Sequence, residues 1–167
     1  NTDAFKITIE ACSKAGGGQV VVPPGLWLTG PIELQSNIDF HVERGALILF
    51  SPNHNDYPII KRPTGGYVVA PPIYGFNLEN IAITGSGLID GNGTTWRPLK
   101  RSKVNVSLWR KFVNSGGVTN SDNSIWYPSK AARDGREEFD KLRKSKKEIT
   151  TEDLLPFRDA MRPRLYH

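Results

Sequence analysis

Ile81-Ala82-Ile83-Thr84-Gly85-Ser86-Gly87-Leu88-Ile89-Asp90-Gly91-Asn92-Gly93-Thr94-Thr95-Trp96 alternates apolar with small polar residues and breaks on closely spaced glycines. Period-two alternation is the pattern of a half-buried strand. Gly85, Gly87, Gly91 and Gly93 break it, which predicts a strand, a one-residue kink and a second short strand. Asn77-Leu78-Glu79-Asn80, just before, reads as a tight polar corner. Corner, strand, kink and strand make one rung of a coil, and stacked rungs make a parallel β-helix.

Upstream the same rhythm repeats. Gln19–Val22 is stopped by Pro23-Pro24-Gly25 and Leu26–Thr29 by Gly30-Pro31, then Ile32–Leu34, Ile38–Val42 and Ala46–Phe50 follow. Breakers at such short intervals suit rung corners. Ile38, Phe40 and Val42 face one way; Asp39, His41 and Glu43 face the other. That Asp-x-His-x-Glu face is read as the polar exterior of a coil rather than as a metal site. Residues 1–15 read as an amphipathic helix, with Phe5, Ile9 and Cys12 on one face, Asn1 or Thr2 as cap, and Gly16-Gly17-Gly18 as the stop.

Downstream the periodicity changes. Residues 51–76 are predicted as one long loop, and loops of that length in compact domains are often functional. Helices are predicted over Val104–Val113 and Ser129–Lys147. A third begins near Thr150, with Asp153 as capping-box partner, and Pro156 keeps it short. The organisation expected is a cap and first rungs over 1–96, a helical insertion over 97–161, and the start of another rung over 162–167.

With 167 residues, 38% of them hydrophobic, the chain can bury a core and lacks a disordered composition. No apolar run reaches the roughly 18 residues of a membrane span. The first residue is Asn1, and neither a basic nor an apolar leader region follows, so any export signal is expected to have been removed already. Cys12 is the only cysteine, which excludes an internal disulfide; its place on the apolar helix face suits a buried thiol. The net charge of +5 is unevenly spread: Arg97–Lys147 holds 14 Lys/Arg against 5 Asp/Glu, the remainder 8 against 12. Such a basic block suits nucleic acid, a membrane surface or an acidic polysaccharide, or simply a solvated helical face. It carries no nucleic-acid-binding motif.

Four stretches together resemble the N-terminal part of glycoside hydrolase family 28, the polygalacturonase-like pectin hydrolases. They are Asn1-Thr2-Asp3-Ala4-Phe5, Gly17-Gly18-Gln19-Val20-Val21-Val22-Pro23-Pro24-Gly25, Leu28-Thr29-Gly30-Pro31-Ile32-Glu33-Leu34-Gln35-Ser36-Asn37, and Asn80 through Gly91. The resemblance covers residues 1–100, and the helical insert resembles that of bacterial members. It implies a mainly β fold: a right-handed parallel β-helix of the pectin lyase-like kind, plugged by residues 1–15 and carrying an α-helical insertion. It also implies inverting hydrolysis of galacturonic acid linkages in pectic polysaccharide, without a cofactor or metal, by a secreted or periplasmic enzyme. That chemistry needs a protonated carboxyl for the leaving oxygen and a carboxylate for the water, about 6.5–9.5 Å apart.

The family's catalytic motifs are Asn-x-Asp, an Asp-Asp pair, His-Gly and Arg-x-Lys. This chain has no Asp-Asp, and none of His41, His54 and His167 precedes a glycine. Asn1-Thr2-Asp3 and Arg101-Ser102-Lys103 imitate two motifs by letters, but one caps the leading helix and the other lies in the helical insert. No catalytic residue is therefore assigned in this chain, which is expected to be the N-terminal third of an enzyme and inactive alone. Its open coil end is expected to be covered by the rest of the enzyme or by another chain, with Arg162–His167 beginning a strand. Sugar sites use aromatic faces and cations for uronate carboxylates. Tyr67, Tyr74, Trp96, Arg62 and Arg97 are the candidate substrate contacts; Trp109 and Trp126 suit packing instead. The alternatives are a non-catalytic β-helix module for carbohydrate binding or architecture, and a polysaccharide lyase.

Overall fold

The computed structural model describes residues 1–146 and 148–164. Helix α1 (Thr2–Lys14) opens the chain, and five strands follow: β1 (Gly18–Val22), β2 (Gly25–Thr29), β3 (Ile32–Glu33), β4 (Ile38–Val42) and β5 (Ala46–Phe50). Strands β6 (Ile59–Lys61) and β7 (Tyr67–Val69) form an antiparallel hairpin, and β8 (Ile73–Tyr74), β9 (Ala82–Gly85) and β10 (Leu88–Asp90) come next. The remainder comprises β11 (Leu99–Lys100), α2 (Val106–Asn114), β12 (Val118–Thr119), β13 (Ile125–Tyr127), α3 (Lys130–Ser145) and α4 (Thr151–Leu154), followed by a 3₁₀ turn over Leu155–Ala160.

The architecture is mainly β with parallel sheets. One sheet orders β1-β4-β9, a second β2-β5-β10 and a third β3-β8, every pairing parallel. Each pass of the chain thus lays one strand on each sheet above the strand laid before. Register puts like on like: Val20, Phe40 and Ile83 align, as do Trp27, Ile48 and Ile89. The alternation in β4 and β5 turns Ile38, Phe40, Val42, Ala46, Ile48 and Phe50 inward, all buried. Helix α1 lies across the first pass with Ile9 fully buried, and its Phe5 ring meets Phe40 edge-on at 5.8 Å. Cys12 packs at the margin of this core.

The corners share a backbone solution. Gly17, Asn37 and Asn80 precede β1, β4 and β9, and all have positive φ (97°, 64° and 54°). Glycine and asparagine are the residues that tolerate this conformation. Asn80 Nδ2 donates to Asn37 Oδ1 at 3.0 Å, and a Cβ on Gly17 would sit 2.4 Å from the Asn37 carbonyl oxygen. On the polar face of β4, Gln19 Nε2 donates to Asp39 Oδ2 (2.7 Å), Thr84 Oγ1 donates to Asp39 Oδ1 (2.6 Å), and His41 Nδ1 meets Thr84 Oγ1 (2.8 Å). The polar face of β4 is thus knitted to its neighbours. Among the described residues no three His, Cys, Asp or Glu side chains gather as metal ligands.

Several expectations change in detail. Residues 51–76 hold a 3₁₀ turn (His54–Asp56), the β6–β7 hairpin and β8, where a plain loop was predicted. The segment after Trp96 holds an antiparallel sheet, β11-β13-β12, besides its helices. The helix predicted over Ser129–Lys147 runs from Lys130 to Ser145, Lys147 lying outside the described residues, and the one predicted from Thr150 is a single turn with its capping box formed. Residues 162–164 form no strand, and 165–167 lie outside the described residues. A second core of Tyr57, Ile59, Val69, Trp96 and Leu154 ties the hairpin to the helical segment.

Candidate functional site

Trp96 occupies the middle of this second core at 3% exposure. The His54 imidazole stacks on its indole at 3.5 Å between centroids, and Tyr57 meets it edge-on at 5.2 Å. His54 Nδ1 donates to Asp159 Oδ1 at 2.7 Å, and Ser129 Oγ donates to Asp159 Oδ2 at 3.1 Å while capping α3 through the Ala132 N–H. Histidine and serine both address the carboxylate and not one another, so the trio is a clamp rather than a nucleophilic relay. Arg158 Nη1 adds hydrogen bonds to the His54 carbonyl and Asn55 Oδ1. The Tyr57 hydroxyl donates to the Ser51 carbonyl at 2.8 Å, and burial pushes its pKa up to about 12. The Trp96 indole N–H is buried without a hydrogen-bond partner among the described residues.

Three adjoining cavities open around this platform. The first, 380 Å³, is lined by Tyr67, Trp96, Arg136, Phe139, Met161 and Arg162 among others. The second, 320 Å³, shares Trp96 and adds Gly93, Arg97, Pro163 and Arg164. The third, 130 Å³, includes Arg62, Val68, Arg162 and Arg164. Among the described residues no aspartate or glutamate lines any of the three. Close packing of α3 on the 3₁₀ turn shapes the first: a Cβ on buried Gly135 would lie 3.0 Å from Ala160 Cβ.

Four of the five residues singled out in the sequence meet here. Tyr67 lines the first cavity, Trp96 the first and second, Arg97 the second and Arg62 the third. Arg62 stands at the hairpin tip, where its N–H donates to the Gly66 carbonyl and its Nε is buried without a partner among the described residues. Tyr74 stands apart on β8, its hydroxyl donating to Glu33 Oε2 at 3.2 Å; burial first, then the Glu33 charge, push its pKa up to about 12. Trp109 and Trp126 are both buried, Trp126 donating through Nε1 to the Gly116 carbonyl. Sequence reasoning missed Arg136, Arg162 and Arg164 as lining residues; excess positive charge after Trp96 was the only signal for Arg136.

No family model matches the chain. It is 36% identical over 108 residues to a probable polygalacturonase of Vitis vinifera, covering 58% of this chain and 22% of that protein. It is 33% identical over 104 residues to the exo-poly-alpha-D-galacturonosidase of Dickeya chrysanthemi, covering 56% and 17%. The chain therefore spans about a fifth of the length of these curated relatives. Among solved structures, the family 28 exopolygalacturonase of Yersinia enterocolitica superposes with a TM-score of 0.51 at 22% identity, over 93% of this chain and 27% of that one, a likeness of fold. Over about half its length, this chain is a relative of proteins named as polygalacturonases.

Proposed function

We propose that the chain is the cap and first rungs of a polygalacturonase-like glycoside hydrolase acting on galacturonic acid linkages in pectic polysaccharide, with inversion. Its parallel passes are read as the start of a right-handed β-helix plugged by α1, and residues 97–161 as an insertion into that coil. The similarity to two proteins named for galacturonan hydrolysis carries this reading. Arginine-lined cavities without acidic walls support it, because a polyuronate brings one carboxylate per sugar. Tyr67, Tyr74, Trp96, Arg62 and Arg97 are the proposed contacts: rings for sugar faces, guanidiniums for carboxylates. The acid and base are placed on rungs beyond these residues, since the Asp-Asp and His-Gly motifs are absent here. The enzyme is read as exported, secreted or periplasmic.

The same absence favours a second reading, a β-helix module that binds acidic polysaccharide without cutting it. Reducing-sugar release from polygalacturonate by the complete protein decides between them. Hydrolysis with an inverted anomeric product is expected; binding without release establishes the module, and neither binding nor release ends the pectic reading.

A further inference from the structure

We infer that Arg136 of α3, with Arg162 and Arg164 beyond the 3₁₀ turn, completes with Arg62 and Arg97 one extended site for consecutive uronate carboxylates, so that the helical segment is itself part of the ligand-binding surface. This deepens the pectic reading above and rests on it. Its first support is continuity. The first and second cavities share Trp96, the first and third share Val68, Met161 and Arg162, and the second and third share Pro163 and Arg164. Each cavity carries at least two arginines, and no wall residue is acidic.

The second support is the state of those charges. Among the described residues, Arg62, Arg97, Arg162 and Arg164 have no carboxylate partner. Arg136 has only Asp140 of its own helix at 3.7 Å, with both side chains largely in solvent, an arrangement that contributes little. Two cations of the same segment are held closer, Arg133 by Asp134 (2.6 Å) and Lys141 by Glu137 (2.8 Å). Like charges gathered around a groove repel one another, and an anionic ligand converts that repulsion into attraction. The buried, unpartnered Nε of Arg62 is one further donor awaiting an acceptor.

The third support selects the anion. Carboxylate and phosphate both fit the guanidinium fork. Tyr67, half-buried, lines the first cavity beside Arg136 and Arg162, with buried Trp96 as its floor, which suits a ligand with an apolar ring face next to its charge. Cations distributed over three connected spaces match a chain with one carboxylate per ring better than a single compact anion.

Calorimetric titration of the complete protein with trigalacturonate tests this, with galactotriose as the uncharged counterpart and inorganic phosphate as competitor. Arg136→Gln and Arg164→Gln are each expected to weaken trigalacturonate binding by about tenfold or more, the worth of a lost charge-assisted pair. Arg44→Gln, at a residue that lines none of the three cavities, is expected to leave binding unchanged. Arg136→Lys retains charge and controls for folding, and each variant must melt like the parent. Galactotriose is expected to bind weakly and equally to all. Unchanged trigalacturonate affinity in both glutamine variants overturns this inference while leaving the pectic reading intact. Efficient displacement by phosphate overturns it as well, by making the site one for phosphate. A parent protein that neither binds nor hydrolyses polygalacturonate overturns the pectic reading itself.

Discussion

Gly85 ends β9 directly above Val42, and a Cβ there would fall 2.0 Å from the Val42 carbonyl oxygen at a φ of +97°. Gly85→Ala is therefore expected to cost at least about 1–3 kcal/mol from backbone strain alone, read as a lower midpoint in denaturant. An unchanged midpoint would show that the corner can rewind. Tyr67→Ala should raise KM for polygalacturonate while leaving kcat nearly unchanged, because a ring that only stacks on sugar contributes equally to ground and transition states. An unchanged KM would remove Tyr67 from the site. Corners such as Asn77–Asn80 were legible in the sequence because left-handed backbone conformation selects glycine and asparagine locally, and both Asn77 and Asn80 adopt it. The arginine cluster was not. Arg62, Arg97, Arg136, Arg162 and Arg164 are scattered along the chain, and only its return past Trp96 gathers them.

Among the elements, α4 shows how much a single turn owes to its cap. Thr150 and Asp153 cap each other reciprocally, and Lys146 also donates to Asp153. The Lys146 hydrogen bond first, then the Thr150 N–H, draw the Asp153 pKa down to about 2 from 3.8. A carboxyl lowered on folding stabilises above its unfolded pKa, and that contribution is lost as pH falls through the folded value. Local unfolding near residues 150–160, followed by amide resonances, is thus expected as pH drops from about 4 to 2. Asp153→Asn should weaken the turn at neutral pH and flatten its response to acid; an unaltered acid profile would refute this. Thr150 and Asp153 announce the cap by their spacing alone. The β6–β7 hairpin and the β11-β13-β12 sheet give no such notice, since their strands are two or three residues long and set among prolines and glycines. Runs that short carry no readable alternation, and tertiary pairing decides them.

For the whole molecule, the two edges of the parallel sheets differ. Helix α1 closes the first pass, whereas β9 and β10 have no further strand paired on them among the described residues, and Ile81, Ile83 and Leu88 are 47%, 47% and 69% exposed. Unpaired strand edges with apolar side chains recruit other strands. The 167-residue chain produced alone is expected to self-associate, and Ile83→Lys to reduce this; a sharp 18.6 kDa monomer in sedimentation would contradict the expectation. The first pass advances 20 residues (Gly18 to Ile38) and the second 43 (Asp39 to Ala82), so the second carries 23 more (43 − 20). That surplus leaves and rejoins beside the first pass: the Ser51 N–H donates to the Thr29 carbonyl at 2.8 Å, and the Ile32 N–H to the Pro72 carbonyl at 2.7 Å. Departure and arrival are anchored to neighbouring points of a strand layer that is already built. Evolution can therefore lengthen, trim or exchange what hangs between them, while the strand layers beneath keep their count.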